Sequence, residues 1–308
     1  LARCPRTSAR GSSKMLLEEW PAPLIRDVAR RRAVFVIGSG VSRHALGADG
    51  VTRPPVWKGF LEGAAARFPR GAQTEHIHRA IQDGDLLHAC EWLKNRYDED
   101  WPAYLRSKFT DPRYVPGEIH KLIALLDTRV VFSLNFDDIY ENKSREINEA
   151  SQFTKNYSDP DVCEFLRNDA RYVVKVHGNL ASPASLIFTQ EDYAKARIRH
   201  SLFYSAFDAA LMTHTFLFIG CGYGDPDVNL LLENQAFIAQ PGSINPHYFL
   251  TSSEISHDMK VSLRKNRNLK TLSYDKVDAN HAGLVVAIED LYARVVEART
   301  ALLENQNW

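Results

Sequence analysis

The sequence predicts an α/β fold in which a mostly parallel sheet carries helices on both faces. Three observations carry this reading. Short runs rich in β-branched and aromatic residues recur along the chain, several of them apolar at nearly every position, as strands covered on both faces must be. Longer segments with apolar residues at helical spacing separate them. Four of the runs end in small or polar residues, where open sheets of this class bind ligands.

In chain order, Glu18–Arg31 reads as a helix leading into the first strand, Ala33–Ile37. The segment 56–118 has helix-like patterning, with Leu86, Leu87, Cys90, Trp92 and Leu93, and no convincing strand. It is too long for a simple crossover, so it is expected to be a helical insertion lobe over the ligand edge of the sheet. Arg129–Leu134 is the second strand, followed by a helix over Asp137–Asn148. Arg171–Val176, Thr215–Ile219 and His247–Leu250 follow as strands, with Leu269–Ser273 a weaker sixth. Asp225-Pro226-Asp227 has the form of a helix start, with Asp at the cap and Pro in the first turn, continued by Val228, Leu231, Leu232 and Ile238. Ala282–Leu303 repeats apolar residues at helical spacing and closes the domain. Residues 1–14, rich in Arg and Ser, are expected to be a flexible tail, leaving 15–308 as one domain with its insertion.

Bulk properties exclude several classes. Apolar residues make up 44% and charged residues 25%, an ordinary globular balance, and the 38 basic side chains are matched by 38 acidic ones. That removes a whole-chain case for binding nucleic acid, so direct contact with it is not expected. No apolar run is long enough to cross a bilayer, and the first residues lack the apolar stretch of a secretory signal. Cys4, Cys90, Cys163 and Cys221 are scattered, with no closely spaced pair to hold a structural zinc, so no metal is expected. Four cysteines in a chain of this size suggest a reducing, cytoplasmic setting rather than a disulfide framework.

The strand ends carry the chemistry. The first strand runs into Gly38-Ser39-Gly40-Val41-Ser42, small residues that let backbone N–H groups approach a pyrophosphate, as in Rossmann-like folds. A plain tight turn explains such a run equally well, and Arg43 breaks the full dinucleotide fingerprint. The second strand ends in Asn135-Phe136-Asp137-Asp138, where Asn135 and Asp137 read either as ligand contacts or as caps of the next helix. The third ends in His177-Gly178-Asn179; an imidazole titrates near pH 6.5 and suits a general base, and Gly178 would leave room beside the ring for a substrate. A structural histidine at a strand end is the alternative. Gly220-Cys221-Gly222-Tyr223 forms a second glycine-rich strand end, with Cys221 read as a packing residue. Ile244-Asn245-Pro246 leads into the fifth strand, where Asn245 could hydrogen-bond a ribose or adenine.

As an ordered set these motifs resemble the sirtuins. Gly38-Ser39-Gly40-Val41-Ser42 is similar to the sirtuin G-A-G-x-S loop, Asn135 and Asp137 to its N-x-D motif, and His177-Gly178 to its H-G pair. Gly220-Cys221-Gly222-Tyr223 and Ile244-Asn245 resemble the later glycine-rich and I-N elements, so the likeness spans residues 18–295. The four-cysteine zinc module of sirtuin deacylases is missing. The chain therefore looks most like the sirtuin-like domains of bacterial anti-phage defence systems, which hydrolyse NAD. That resemblance implies NAD as substrate, with nicotinamide and ADP-ribose as products. It implies His177 and Asn135 as catalytic residues, with Gly38, Ser39, Gly40, Ser42, Asp137, Gly220, Gly222 and Asn245 around the dinucleotide. It also implies a regulated, homo-oligomeric effector with a companion ATPase, helicase or sensor. A silent module that senses NAD or ADP-ribose, and an NAD-dependent deacylase or ADP-ribosyltransferase, are the competing functions.

Overall fold

The computed structural model describes residues 19–223, 229, 231–232 and 245–304. Seven parallel strands form one sheet in the order β3-β4-β2-β1-β5-β6-β7. They are β1 (Ala33–Ile37), β2 (Val130–Ser133), β3 (Gln152–Asn156), β4 (Arg171–Lys175), β5 (Thr215–Ile219), β6 (His247–Ser252) and β7 (Leu269–Tyr274). The fully apolar strands occupy the middle because both of their faces are covered. On one face Val34, Val36, Phe132, Val174, Phe216 and Phe218 pack with Phe203, Phe207 and Ala210 of helix α10 (Ser201–Thr213), in a cluster that also takes in Leu263 of α11 (His257–Arg267). On the other, Phe35, Ile37, Val131, Leu217 and Leu250 pack against α1 (Ala22–Ala29), α7 (Glu118–Leu125) and the long closing helix α12 (Ala282–Glu304). The period-two alternation along each strand thus feeds two cores.

Six of the strands lie on the six runs expected from sequence. The seventh, β3, was not expected. Its residues Gln-Phe-Thr-Lys-Asn have no apolar run, and Phe153 is exposed. It is an edge strand held by pairing with β4 along its whole length, so its signal lies in the partner rather than in itself. The helices expected over 18–31, 137–148 and 282–303 are α1, α8 (Ile139–Ile147) and α12. The expected helix start at Asp225-Pro226-Asp227, with Gly224, Val228, Ile238 and Ile244, lies outside the described residues, as do Cys4 and the tail.

Between β1 and β2, helices α3 (Trp57–Ala65), α4 (Glu75–Asp83), α5 (Leu86–Tyr97) and α6 (Trp101–Phe109) share a separate apolar cluster. Phe60, Ile77, Cys90, Leu93, Trp101 and Leu105 are its centre, and Leu186 and Phe188, from the loop after β4, join it. That joint seats the helices over the carboxyl ends of the strands. No helix among the described residues is long and apolar enough to cross a membrane.

Two core histidines make stability depend on pH. His120 and His247 are buried, and each ring accepts a backbone N–H through Nδ1, from Gly117 and Phe216 respectively. Nε2 of His247 therefore carries the hydrogen, His120 Nδ1 also lies 3.3 Å from Gly117 O, and among the described residues Nε2 has no partner on either ring. Burial lowers both to about 4. The unfolded chain, with imidazoles near 6.5, binds the proton more readily, so the stabilisation is complete above about pH 6.5 and is lost as pH falls toward 4. Each site contributes on the order of 3 kcal/mol to that loss. Urea midpoints should fall steeply between pH 7 and pH 5, and a flat profile over that range would contradict the assignment.

Candidate functional site

The topology fixes where a ligand can sit. From β1 the chain moves to β2, β3 and β4 on one side of the sheet, then returns to β5 on the other side of β1. The carboxyl ends of β1 and β5 flank that switch point, where open α/β sheets leave a crevice. Both ends are glycine turns, and they touch: Gly38 N donates to Ile219 O at 3.0 Å and Gly40 N to Gly220 O at 2.9 Å. Gly220 has φ +66, and a Cβ there would stand 2.5 Å from Val41 N. These glycines are thus required by the approach of two backbones, whatever further approach a ligand makes. Ser39–Ser42 beyond Gly38 is a single helical turn, α2.

Asn135, just past β2, is buried and reaches back across this crevice. Its Nδ2 donates to Gly38 O and to Ser42 Oγ, both at 3.0 Å. Asn135 is therefore no cap of α8. Asp137 is part of that helix start, because its Oδ1 accepts Ile139 N at 3.1 Å. Ser42 lies on the same side and favours the charged carboxylate. Burial pushes the Asp137 carboxyl above the ordinary carboxylate range, and Lys175, Ile139 N and Ser42 partly offset this. Asn135 thus bridges the β1 and β2 turns through Gly38 and Ser42, while Asp137 fixes the start of α8.

His177, at the end of β4, is fully buried. Its Nδ1 lies 3.1 Å from Leu134 O, which can only accept, so Nδ1 carries the hydrogen and Nε2 is the accepting nitrogen of the neutral ring. Tyr193, from helix α9 (Gln190–Arg199), places its hydroxyl 3.3 Å from Nε2. Gly178 does not open space for a substrate. At φ +79, the place of its missing side chain is filled by the carbonyl of Ser185, which lets the loop return to pair Ile187 N with His177 O.

Two hollows meet here. The inner one is lined by Asn135, Phe136, Asp137, Ser42 and Tyr193 and roofed by Trp57, Phe60 and Phe109. Its rings are closely set: Phe136 lies 4.3 Å from Phe188, and Trp57 stacks near Phe188 at 6.0 Å. His177 meets this hollow through Phe136 and Tyr193, which flank its ring at 6.4 and 5.4 Å. The outer hollow is a wide cleft open to solvent, lined by Gly40, Arg43, Gly220 and Gly222 and, farther along, by Thr251 and Ser252 at the end of β6 and Glu254 just past it. Ser39 and Trp57 border both.

Of the residues singled out in the sequence, Gly38, Ser39, Gly40, Ser42, Asn135, Asp137, His177, Gly220 and Gly222 gather at this one edge. Asn245 does not. It precedes β6 and accepts a hydrogen bond from Asn268, which precedes β7, so it lies at the opposite end of the sheet. The strand direction explains the correction: a residue before a parallel strand cannot share an edge with residues that follow its neighbours. Thr251, Ser252 and Glu254 hold the corresponding place. Sequence reasoning also missed Tyr193 and the aromatic roof, which come from helices remote in the chain. It missed Lys175 too, although a lysine inside the apolar run Tyr-Val-Val-Lys-Val was a visible signal. Lys175 and its partner Glu141 are fully buried 2.9 Å apart. Burial opposes the ammonium charge, but Glu141, Asp137 and Asp138 outweigh it and raise Lys175. Among the described residues no cluster of three or more His, Cys, Asp or Glu is placed to hold a metal ion.

Residues 129–272 match the SIR2-like domain family model. An NAD(+) hydrolase ThsA from Enterococcus faecium is 29% identical over 133 residues, covering 43% of this chain and 27% of that protein. Another from Cytobacillus dafuensis is 21% identical over 298 residues, covering 94% of this chain and 56% of the relative. Defense-associated sirtuin 2 from Bacillus subtilis is 22% identical over 166 residues, covering 53% of this chain and 16% of that protein. The chain thus spans between a sixth and just over half of these relatives. The crystal structure of a SIR2 homolog–NAD complex covers 94% of this chain with a TM-score of 0.42 and 13% identity.

Proposed function

We infer, from the premise that this chain carries a SIR2-like domain, that it hydrolyses NAD at the nicotinamide–ribose bond. The observation that carries the reading is the junction of the two hollows at the paired β1 and β5 glycine turns, with Asn135 in the inner wall and His177 directly behind Tyr193 of that wall. The pyrophosphate lies over Gly38–Ser42 and Gly220–Gly222. The adenosine half occupies the outer cleft near Thr251, Ser252 and Glu254. The flat, positively charged nicotinamide ring enters the aromatic inner hollow, where ring faces favour a cation. In the same reading the helical segment 56–118 is a lobe inserted over the ligand edge, supplying Trp57, Phe60 and Phe109.

The chemistry needs little covalent help. The bond between the ribose anomeric carbon and the ring nitrogen breaks, and its electron pair leaves with nicotinamide and cancels the ring's positive charge. Water forms the new C–O bond, giving ADP-ribose, and His177 Nε2 takes the water's proton when the water replaces the Tyr193 hydroxyl at that nitrogen. The Leu134 carbonyl fixes the tautomer that makes Nε2 the base. Asn135, with its Nδ2 committed to Gly38 and Ser42, presents its carbonyl oxygen to the ribose hydroxyls or the water. Asp137 accepts Ile139 N and so fixes the end of the turn that carries Asn135. Asn135→Ala should therefore lower kcat by about 10²-fold through misplacement, with a smaller effect on KM.

Free NAD is abundant, so such an enzyme has to be controlled. We place the chain as an effector that depletes NAD in anti-phage defence, in keeping with relatives named NAD(+) hydrolase and defense-associated sirtuin, and that assembles into homo-oligomers and answers to a companion ATPase, helicase or sensor. Specific activity should then rise with protein concentration. Nicotinamide release from NAD alone separates this reading from a deacylase or transferase, which would need an acyl-peptide or acceptor. Strict dependence on such a peptide would overturn it.

A further inference from the structure

We propose that Lys175 is a positioning residue that locks the Asn135–Asp138 turn to the strand carrying His177. The proposal rests on the NAD-hydrolase reading of this edge. In register, Lys175 pairs with Ser133, the last residue of β2, so His177 and Asn135 each stand two residues beyond a matched pair. Ladder hydrogen bonds reach only slightly past that point, with Val176 N donating to Ser133 O and Leu134 N to Ile37 O. Beyond it the turn is also tied by His177 Nδ1 on Leu134 O and by Asn135 on Gly38 and Ser42, bonds made by the very side chains that need to be positioned.

Lys175 supplies a separate tie. Its Nζ donates to the main-chain carbonyl of Asp137 and to Glu141 Oε1, the latter at 2.9 Å, and lies 3.5 Å from Asp138 Oδ1. The Asp137 carbonyl precedes the first acceptor of α8, since Asn142 N bonds to Asp138 O, so the helix offers it no donor of its own. One ammonium, two residues from the proposed base, thereby holds the backbone that carries Asn135 and Asp137 and the first turn of the helix behind them. A buried ion pair is a poor source of stability, because a well-packed apolar pair at the same place is often neutral or better. Its value here is geometric: the directed bond to the Asp137 carbonyl is what an apolar pair cannot reproduce.

The double variant Lys175→Met/Glu141→Leu separates these roles, because it leaves no charge buried alone, whereas Lys175→Met by itself strands Glu141 and is expected to fold poorly. Two readouts are compared with the wild type: amide hydrogen exchange of residues 135–138 against the strands, and steady-state nicotinamide release from NAD. The expected double variant melts near the wild-type temperature, exchanges faster in the turn alone, and loses kcat by about 10²-fold with KM for NAD nearly unchanged. Wild-type protection of the turn, or a retained kcat, overturns the proposal and leaves Lys175 as packing. A wild type that releases no nicotinamide sinks the hydrolase reading instead, and the exchange comparison still decides whether Lys175 holds the turn.

Discussion

Replacing His177 by Ala is expected to slow nicotinamide release by about 10²–10⁴-fold, the usual contribution of a positioned general base. The tautomer makes the case specific. Leu134 O takes the Nδ1 hydrogen, which leaves Nε2 as the only nitrogen able to accept a proton, and that nitrogen faces Tyr193 at the inner hollow. His177→Gln keeps much of the volume and supplies no comparable base, so it should be nearly as slow while folding better than the Ala variant. The dinucleotide contacts assigned to the β1 and β5 turns are untouched by either change. NAD should still raise the melting temperature of both variants. Turnover at the wild-type rate in either one would remove His177 from the chemistry.

The second large effect concerns Gly220. A side chain there must adopt φ +66, which costs about 1–2 kcal/mol for an L-residue, and its Cβ would press on Val41 N and on the carbonyl carbon of Gly40. Relief requires the β1 and β5 turns to separate, and that separation opens the crevice assigned to the pyrophosphate. Gly220→Ala should therefore lose NAD affinity by more than about 10-fold and unfold at lower urea, with a total stability cost of about 2–4 kcal/mol. Gly50 is the control. It has φ +71 with nothing within 4 Å of its added Cβ, so Gly50→Ala pays the backbone cost alone and leaves NAD binding unchanged. Equal binding by Gly220→Ala and Gly50→Ala, measured by titration, would contradict the assignment of the β1–β5 crevice.

What the sequence made legible follows from where the physical signal is stored. The central strands announced themselves because burial on both faces demands apolar residues throughout, as in Thr215–Ile219 with its Phe216, Leu217, Phe218 and Ile219. β3 was silent because an edge strand with half-exposed side chains has no such demand. Asn135, Asp137, His177 and the glycine turns could be singled out because polar or flexible residues interrupt apolar strands only for a local reason. Asn245 misled because a two-residue motif carries no strand direction. Tyr193, Trp57 and Glu254 were invisible for another reason: they reach the edge from segments far apart in the chain, and only the packing of α3 and α9 and the exit of β6 bring them there. Gly178 shows the converse, a well-placed glycine whose reason proved to be a returning loop rather than a substrate.

The proposed reaction breaks the nicotinamide–ribose bond with water as the only acceptor. Its most direct test is a time course of NAD with the purified chain alone, over a wide range of protein concentration, with all products separated and quantified. One nicotinamide and one ADP-ribose are expected for each NAD consumed. NAD that is bound yet stays intact at every concentration would contradict it and make the domain a sensor of the dinucleotide.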